Sequence, residues 1–313
     1  MPLDEDVQTL LNMLNAPGMP TLTSLSVEEA RANMRNLTAL RAAPPEPLAR
    51  IENRTIPGPA GEIPVRIYAA SSEPGLPVLV YYHGGGWVLG DLDTHDGTTR
   101  ALAKLIDGIV VSVDYRLAPE HKFPAAIDDA YAAAAWVVEN AASIGGDPER
   151  VAIGGDSAGG NLTACVALKA RDLGKPRLVH QLLIYPVTDA KFDTASYRDN
   201  AEGYFLTRSD MEWFWNHYLR GPQDATNPYA SPLQAKDLTG LPPATVITAE
   251  FDPLRDEGEA YAARLKEAGV PTELKRYDGV IHGFFSMPDV LAKGKVAMQD
   301  AAEALKRSFL KPH

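Results

Sequence analysis

The chain has 313 residues, 30 basic and 41 acidic side chains, and a formal net charge of −11. That acidic balance argues against a nucleic-acid or anionic-membrane surface and suits a small neutral substrate. Its single cysteine, Cys165, excludes an internal disulfide and a cysteine-based metal site. No stretch approaches the ~20 apolar residues of a membrane span, and Met1 to Asp6 carry acids where a signal peptide is basic, so a cytoplasmic protein is expected.

Val7, Leu10, Leu11 and Leu14 recur at helical spacing until Pro17-Gly18-Met19-Pro20 breaks the run. Ser26 and Glu29 form a capping-box pattern ahead of Ala30, Met34 and Leu37, so a second helix is expected from Val27. Ala43-Pro44-Pro45-Glu46-Pro47 cannot be helical and separates this N-terminal piece, residues 1–45, from the rest. Two extended segments within 51–69, parted by Pro57-Gly58-Pro59-Ala60-Gly61, predict an antiparallel hairpin.

Apolar strands follow at 78–82, 109–113, 151–154, 178–185, 244–248 and 272–277, with helical stretches such as 124–140 and 257–268 between them. The alternation predicts an α/β protein with a mostly parallel eight-stranded sheet covered by helices on both faces. Residues 186–241 hold no convincing core strand, but Ser209-Asp210-Met211-Glu212 reads as the cap of an aromatic helix containing Trp213, Phe214 and Tyr218. They are read as a lid inserted between two core parts, 46–185 and 242–313, packing with the N-terminal helices over the strand ends.

Gly155-Asp156-Ser157-Ala158-Gly159 follows the strand Val151-Ala152-Ile153-Gly154 and precedes a small-residue helix. Strand, Gly-x-Ser-x-Gly, helix is the order of a nucleophile elbow, where a strained turn exposes the serine and leaves no room for Cβ atoms two residues away. The helix beyond points its N-terminal amides at the place where negative charge would develop. A second motif, His83-Gly84-Gly85-Gly86-Trp87, also follows a strand; backbone without Cβ atoms can aim N–H groups at a ligand. Together the two motifs point to acyl transfer.

The acid and histidine of such a site follow the serine, each on a loop after a later strand. Asp252, in Glu250-Phe251-Asp252-Pro253, and His282, in Ile281-His282-Gly283-Phe284, meet that condition. Glu250 is the serious rival to Asp252, while Asp256 and Glu257 sit where acids stabilise the first turn of a helix. Cys165, among Ala164, Val166 and Ala167, reads as helix packing. Phe284 and Phe285 could wall a pocket. The apolar helix face of Leu10, Leu11 and Leu14 and the aromatic run from Tyr204, Phe205 and Leu206 to Trp213, Phe214 and Trp215 are expected to pack together above Ser157 and bound a closed acyl pocket.

These motifs, with Asp114-Tyr115-Arg116-Leu117-Ala118-Pro119-Glu120, resemble the hormone-sensitive-lipase-type carboxylesterases, the bacterial family IV of the α/β-hydrolase superfamily. The resemblance implies Ser157 as nucleophile, His282 as general base and acid, and Asp252 as the group that orients the imidazole. It implies an oxyanion hole from the amides of Ala158 and two of Gly84, Gly85 and Gly86, with His83 orienting that loop and Trp87 lining the substrate pocket. No cofactor or metal is implied; the partner is a small-molecule ester of short to medium acyl chain, hydrolysed by a monomer or a homodimer. The 114–120 stretch reads as a braced loop without a direct catalytic part. An amide, carbamate or lactone hydrolase is an alternative, as is a non-catalytic receptor on the same fold, against which the retained His282 argues.

Overall fold

The computed structural model describes residues 2–16, 18–41 and 47–310. Pro17 and the expected boundary at Ala43 to Glu46 lie outside the described residues. In chain order the helices are α1 (Glu5–Leu14), α2 (Val27–Arg41), α3 (Asp96–Leu105), α4 (Ala125–Asn140), α5 (Ala158–Leu173), α6 (Ala195–Asp199), α7 (Arg208–Tyr218), α8 (Arg255–Glu267) and α9 (Ala292–Phe309). The strands are β1 (Arg50–Gly58), β2 (Gly61–Ala69), β3 (Leu76–Tyr82), β4 (Ile109–Val113), β5 (Gly146–Asp156), β6 (Gln181–Ile184), β7 (Ala244–Phe251) and β8 (Thr272–Ile281). They form one sheet in the spatial order β1-β2-β4-β3-β5-β6-β7-β8.

The expected hairpin is β1 against β2, closed by Pro59 and Ala60; β2 also pairs antiparallel with β4, and every ladder from β4 to β8 is parallel. Alternation along β3 explains why both faces are covered. Val78, Val80 and Tyr82 enter the core beneath α4, α5 and α8, while Leu79 and Tyr81 enter the core shared with α1, α3 and α9. The α/β architecture of the sequence analysis is therefore the observed one.

The boundaries differ instructively. The apolar run 178–185 yields a strand of only Gln181–Ile184, because Tyr185 takes a φ of 33° and turns the chain out of the ladder. Conversely, β5, β7 and β8 continue past their apolar runs to Asp156, Phe251 and Ile281. Each runs on to the residue before a candidate catalytic side chain.

Among the described residues, 186–241 contain no strand. Thr207 caps α7, not Ser209: its hydroxyl accepts the Asp210 N–H at 3.1 Å while the Asp210 carboxylate accepts the Thr207 N–H at 3.0 Å. The same reciprocal box forms at α2, where Glu29 accepts the Ser26 N–H at 2.9 Å and donates its own N–H to the Ser26 hydroxyl at 3.2 Å. Val7, Leu10 and Leu11 bury α1 in the α3–α9 core, whereas Leu206, Phe214 and Trp215 lie in the core on the other face, so these two apolar groups do not pack together as expected; the Asp4 N–H donates to the Gly279 carbonyl within β8. The N-terminal piece meets the insertion where the short turn Leu22–Ser24 touches α7 and where Asn15 Nδ2 donates to the Gly203 carbonyl at 3.4 Å.

Candidate active site

Four strands deliver the site in the same way. His83, Ser157, Asp252 and His282 are the first residues past β3, β5, β7 and β8. Ser157 has φ 56° and ψ −117°, outside the regions an L-residue readily adopts. Its N–H donates to the Ile184 carbonyl at 2.9 Å, which helps hold the turn. A Cβ at Gly155 or Gly159 would strike the Tyr82 carbonyl oxygen, so both glycines are required by the close passage of β3.

His282 bridges the other two groups. Its Nδ1 lies 2.7 Å from Asp252 Oδ2, and its Nε2 lies 3.0 Å from Ser157 Oγ. An ionised carboxylate only accepts, so the Asp252 contact places the proton on Nδ1 and leaves Nε2 to accept from the serine hydroxyl. Asp252 is wholly buried; its Oδ1 accepts the Leu254 N–H at 2.8 Å, and Asn200 Nδ2 donates to its backbone carbonyl at 3.3 Å. The Tyr185 ring lies 4.5 Å from the imidazole centroid. Glu250 faces elsewhere, its Oε2 accepting the Gly279 N–H at 2.7 Å. Asp256 and Glu257 lie in the first turn of α8 as expected, and their side chains also accept backbone N–H groups of Ser196 and of Thr188 and Asp189, tying the insertion to α8.

The glycine loop is divided in its duties. The Gly84 N–H donates to Asp156 Oδ1 at 3.1 Å, so it is already engaged. Gly85 and Gly86 have φ of 113° and 60°; a Cβ on the first would meet the Leu89 carbonyl, and on the second the Phe214 ring. His83 Nδ1 lies 2.8 Å from the Gly84 carbonyl, and the Tyr115 hydroxyl donates to the His83 carbonyl at 2.7 Å with the two rings stacked. Burial pulls the His83 imidazole down to about 4, with His95 acting in the same direction, so the ring is neutral near pH 7.

Asp156 was not singled out by the sequence, although it stands inside the serine motif. Its Oδ1 also accepts the Tyr81 hydroxyl at 2.7 Å and lies 3.6 Å from His95 Nε2. Burial alone would raise its carboxyl; His95 and the Tyr81 hydrogen bond hold it below the usual range. The residue before the serine thus fastens the elbow to the glycine loop.

The expected pocket residues separate into two groups. Phe214 lies on Gly86, the Phe205 ring, 42% of the residue exposed, lies beside Gly283, and Leu206 is buried in the same cluster as Phe214. Trp87 and Phe284 are fully buried. Trp87 is stacked 4.2 Å from the Tyr218 ring, and Phe284 is wedged between Tyr185 and Tyr277. Cys165 is buried in α5, where burial raises its thiol pKa. Among the described residues no group of three or more His, Cys, Asp or Glu could hold a metal ion, and no helix is long and apolar enough to cross a membrane.

Sheet order, elbow and relay together define the class, an α/β hydrolase. Residues 79–286 match the alpha/beta hydrolase fold family. Carboxylesterase NlhH of Mycobacterium tuberculosis is 47% identical over 313 residues, covering 97% of this chain and 97% of that protein. Carboxylic ester hydrolase LipN of the same organism is 46% identical, covering 89% of this chain and 77% of that one. An ester-hydrolase from the metagenome of Lake Arreo, solved with a derivative of bipyridine phosphonate, superposes with a TM-score of 0.95 at 45% identity, over 99% of this chain and 100% of that chain. The chain belongs to this alpha/beta hydrolase family, in its hormone-sensitive-lipase-type carboxylesterase branch.

Proposed function

We propose that this chain is a cofactor-independent serine carboxylesterase for small esters of short to medium acyl chain. The observation that carries the reading is the unbroken line Asp252 Oδ2, His282, Ser157 Oγ, with separations of 2.7 and 3.0 Å. In this reading Nε2 takes the serine proton as Oγ attacks the ester carbonyl. The same proton then goes to the leaving alcohol, and water repeats the sequence in reverse on the acyl-enzyme. Asp252 stabilises the imidazolium formed in between.

The developing oxyanion is assigned to the amides of Ala158, at the N-terminus of α5, and of Gly85 and Gly86. Gly84 is left out because its N–H already serves Asp156. Each such donor is worth on the order of 10²–10³ in turnover. We assign the cap to α1, α2 and residues 186–241. Phe214 and Leu206 then bound the acyl side, and Phe205, beside Gly283, which follows the residue that protonates the alcohol, bounds the leaving-group side.

A series of p-nitrophenyl esters from acetate to palmitate tests the reading, run beside an organophosphate and the matching anilides. Short to medium esters should turn over, anilides should lag, and the label should sit on Ser157. Absence of turnover in the parent, or a label elsewhere, overturns it.

A further inference from the structure

We propose that Lys122 is a positioning residue that sets acyl-chain selectivity by holding α7 in place over the glycine loop, a role that rests on the ester-hydrolase reading above. Lys122 touches neither the relay nor the loop. Its ammonium reaches the C-terminal end of α7, donating to the carbonyls of Asn216 at 3.1 Å, His217 at 2.8 Å and Leu219 at 2.8 Å. The next residue completes the set, because the Phe123 N–H donates to the Tyr218 carbonyl at 2.8 Å.

A helix leaves its last four carbonyls without intrahelical partners. Here the Trp215 carbonyl takes the final N–H, from Leu219, and the four that follow it, 216 to 219, are all bonded by two adjacent residues of another loop. An ammonium has three donors, and all three are used. Its charge also sits at the negative end of the helix dipole. Few arrangements could specify the axial position of a helix end more completely.

The holder is itself fixed. Arg116 makes a two-point pair with Asp129 of α4, and Glu120 accepts two hydrogen bonds from Arg31. Position is therefore transmitted from the core through the 114–124 loop to α7. In the same last two turns of α7, Phe214 rests on Gly86, while Trp215 and Tyr218 pack on Trp87. Releasing the end of α7 lets Phe214 withdraw from the loop, which deepens the acyl side without moving Ser157, His282 or Asp252.

The test compares the parent with Lys122→Met, which keeps the stem and removes the donors, and with Lys122→Arg, which restores donors and charge. Each is given the p-nitrophenyl ester series, diethyl p-nitrophenyl phosphate, and amide hydrogen exchange over 208–219. In Lys122→Met, KM for the parent's best ester should rise about fivefold or more and the preferred chain should lengthen, while kcat on acetate stays within about twofold. The phosphate should inactivate it at the parental rate, exchange in α7 should quicken, and Lys122→Arg should recover most of the parental profile. An unchanged chain-length profile with unchanged exchange overturns the proposal, as does an equal kcat loss on every ester accompanied by slower inactivation. A parent inactive on all esters and unlabelled at Ser157 sinks instead the esterase reading, and the exchange data still report whether Lys122 holds α7.

Discussion

His83, Ser157, Asp252 and His282, the floor of the proposed substrate space, each leave the sheet one residue after a strand ends; in the proposed cap, α2 and α7 are held by long side chains that donate to carbonyl oxygens. The floor is positioned by backbone ladders and by glycines whose missing Cβ atoms let strands and loops pass in close contact. In the proposed roof, the long side chains are Arg31 and Lys122, which can be changed without disturbing a ladder. Two kinds of positioning imply two kinds of failure. Damage to the floor should abolish chemistry, and damage to the roof should alter which ester is preferred.

The largest effect belongs to the nucleophile. Ser157→Ala should lower turnover by on the order of 10⁵ or more while the fold survives, leaving only binding and oxyanion stabilisation. Near-parental turnover in that variant would show that the floor does not perform the chemistry. Next comes the choice of carboxylate. Asp252→Asn should cost on the order of 10⁴ in kcat through loss of the correct imidazole tautomer. Glu250→Gln should stay within about tenfold, since a side-chain amide can still accept the Gly279 N–H. A reversed ranking would mean that the acid is the residue at the other end of that short segment.

The same division governed what could be read from the residues. Glycine spacing around Ser157, the three glycines after His83 and the strand-end placement of Asp252 and His282 were all legible, because each records a local steric or topological demand. The reach of Arg31 to Val88 and of Lys122 to α7 spans 57 and about 95 positions, and no local pattern marks it. Trp87 shows the opposite limit. The family resemblance implies a pocket wall there, yet that neighbourhood is where α7 closes down, with Tyr218 stacked on Trp87 and Trp215 tilted against it. Asp156 was visible but uninformative, because its partners, Tyr81, Gly84 and His95, come together only when β3 and β5 pair.

The smallest effect separates true roof fasteners from surface decoration. Arg31 and Arg35, one turn apart on α2, both carry short ion pairs, 2.7 Å to Glu120 and 2.6 Å to Asp91, so distance does not rank them. Their other partners do. Arg31 also donates to the Val88 carbonyl at 2.8 Å and the Ala118 carbonyl at 3.0 Å, both part-buried, whereas the Arg35 side chain is 61% exposed.

Arg31→Met should therefore cost about 1–3 kcal/mol by stranding those carbonyls, and Arg35→Met no more than about 1 kcal/mol. The Arg31 hydrogen bonds pull Glu120 down to about 2 from its ordinary 4.5. A depressed acid contributes stability that is complete above the unfolded value and lost as pH falls through the folded one. The Tm gap between parent and Arg31→Met should thus be widest above pH 4.5 and narrow towards pH 2. Because the Glu120 side chain is 53% exposed, water screens the ion pair, and the carbonyl share of the gap should persist in acid. Equal melting temperatures for the two variants at neutral pH would show that α2 rests on the floor by apolar packing alone.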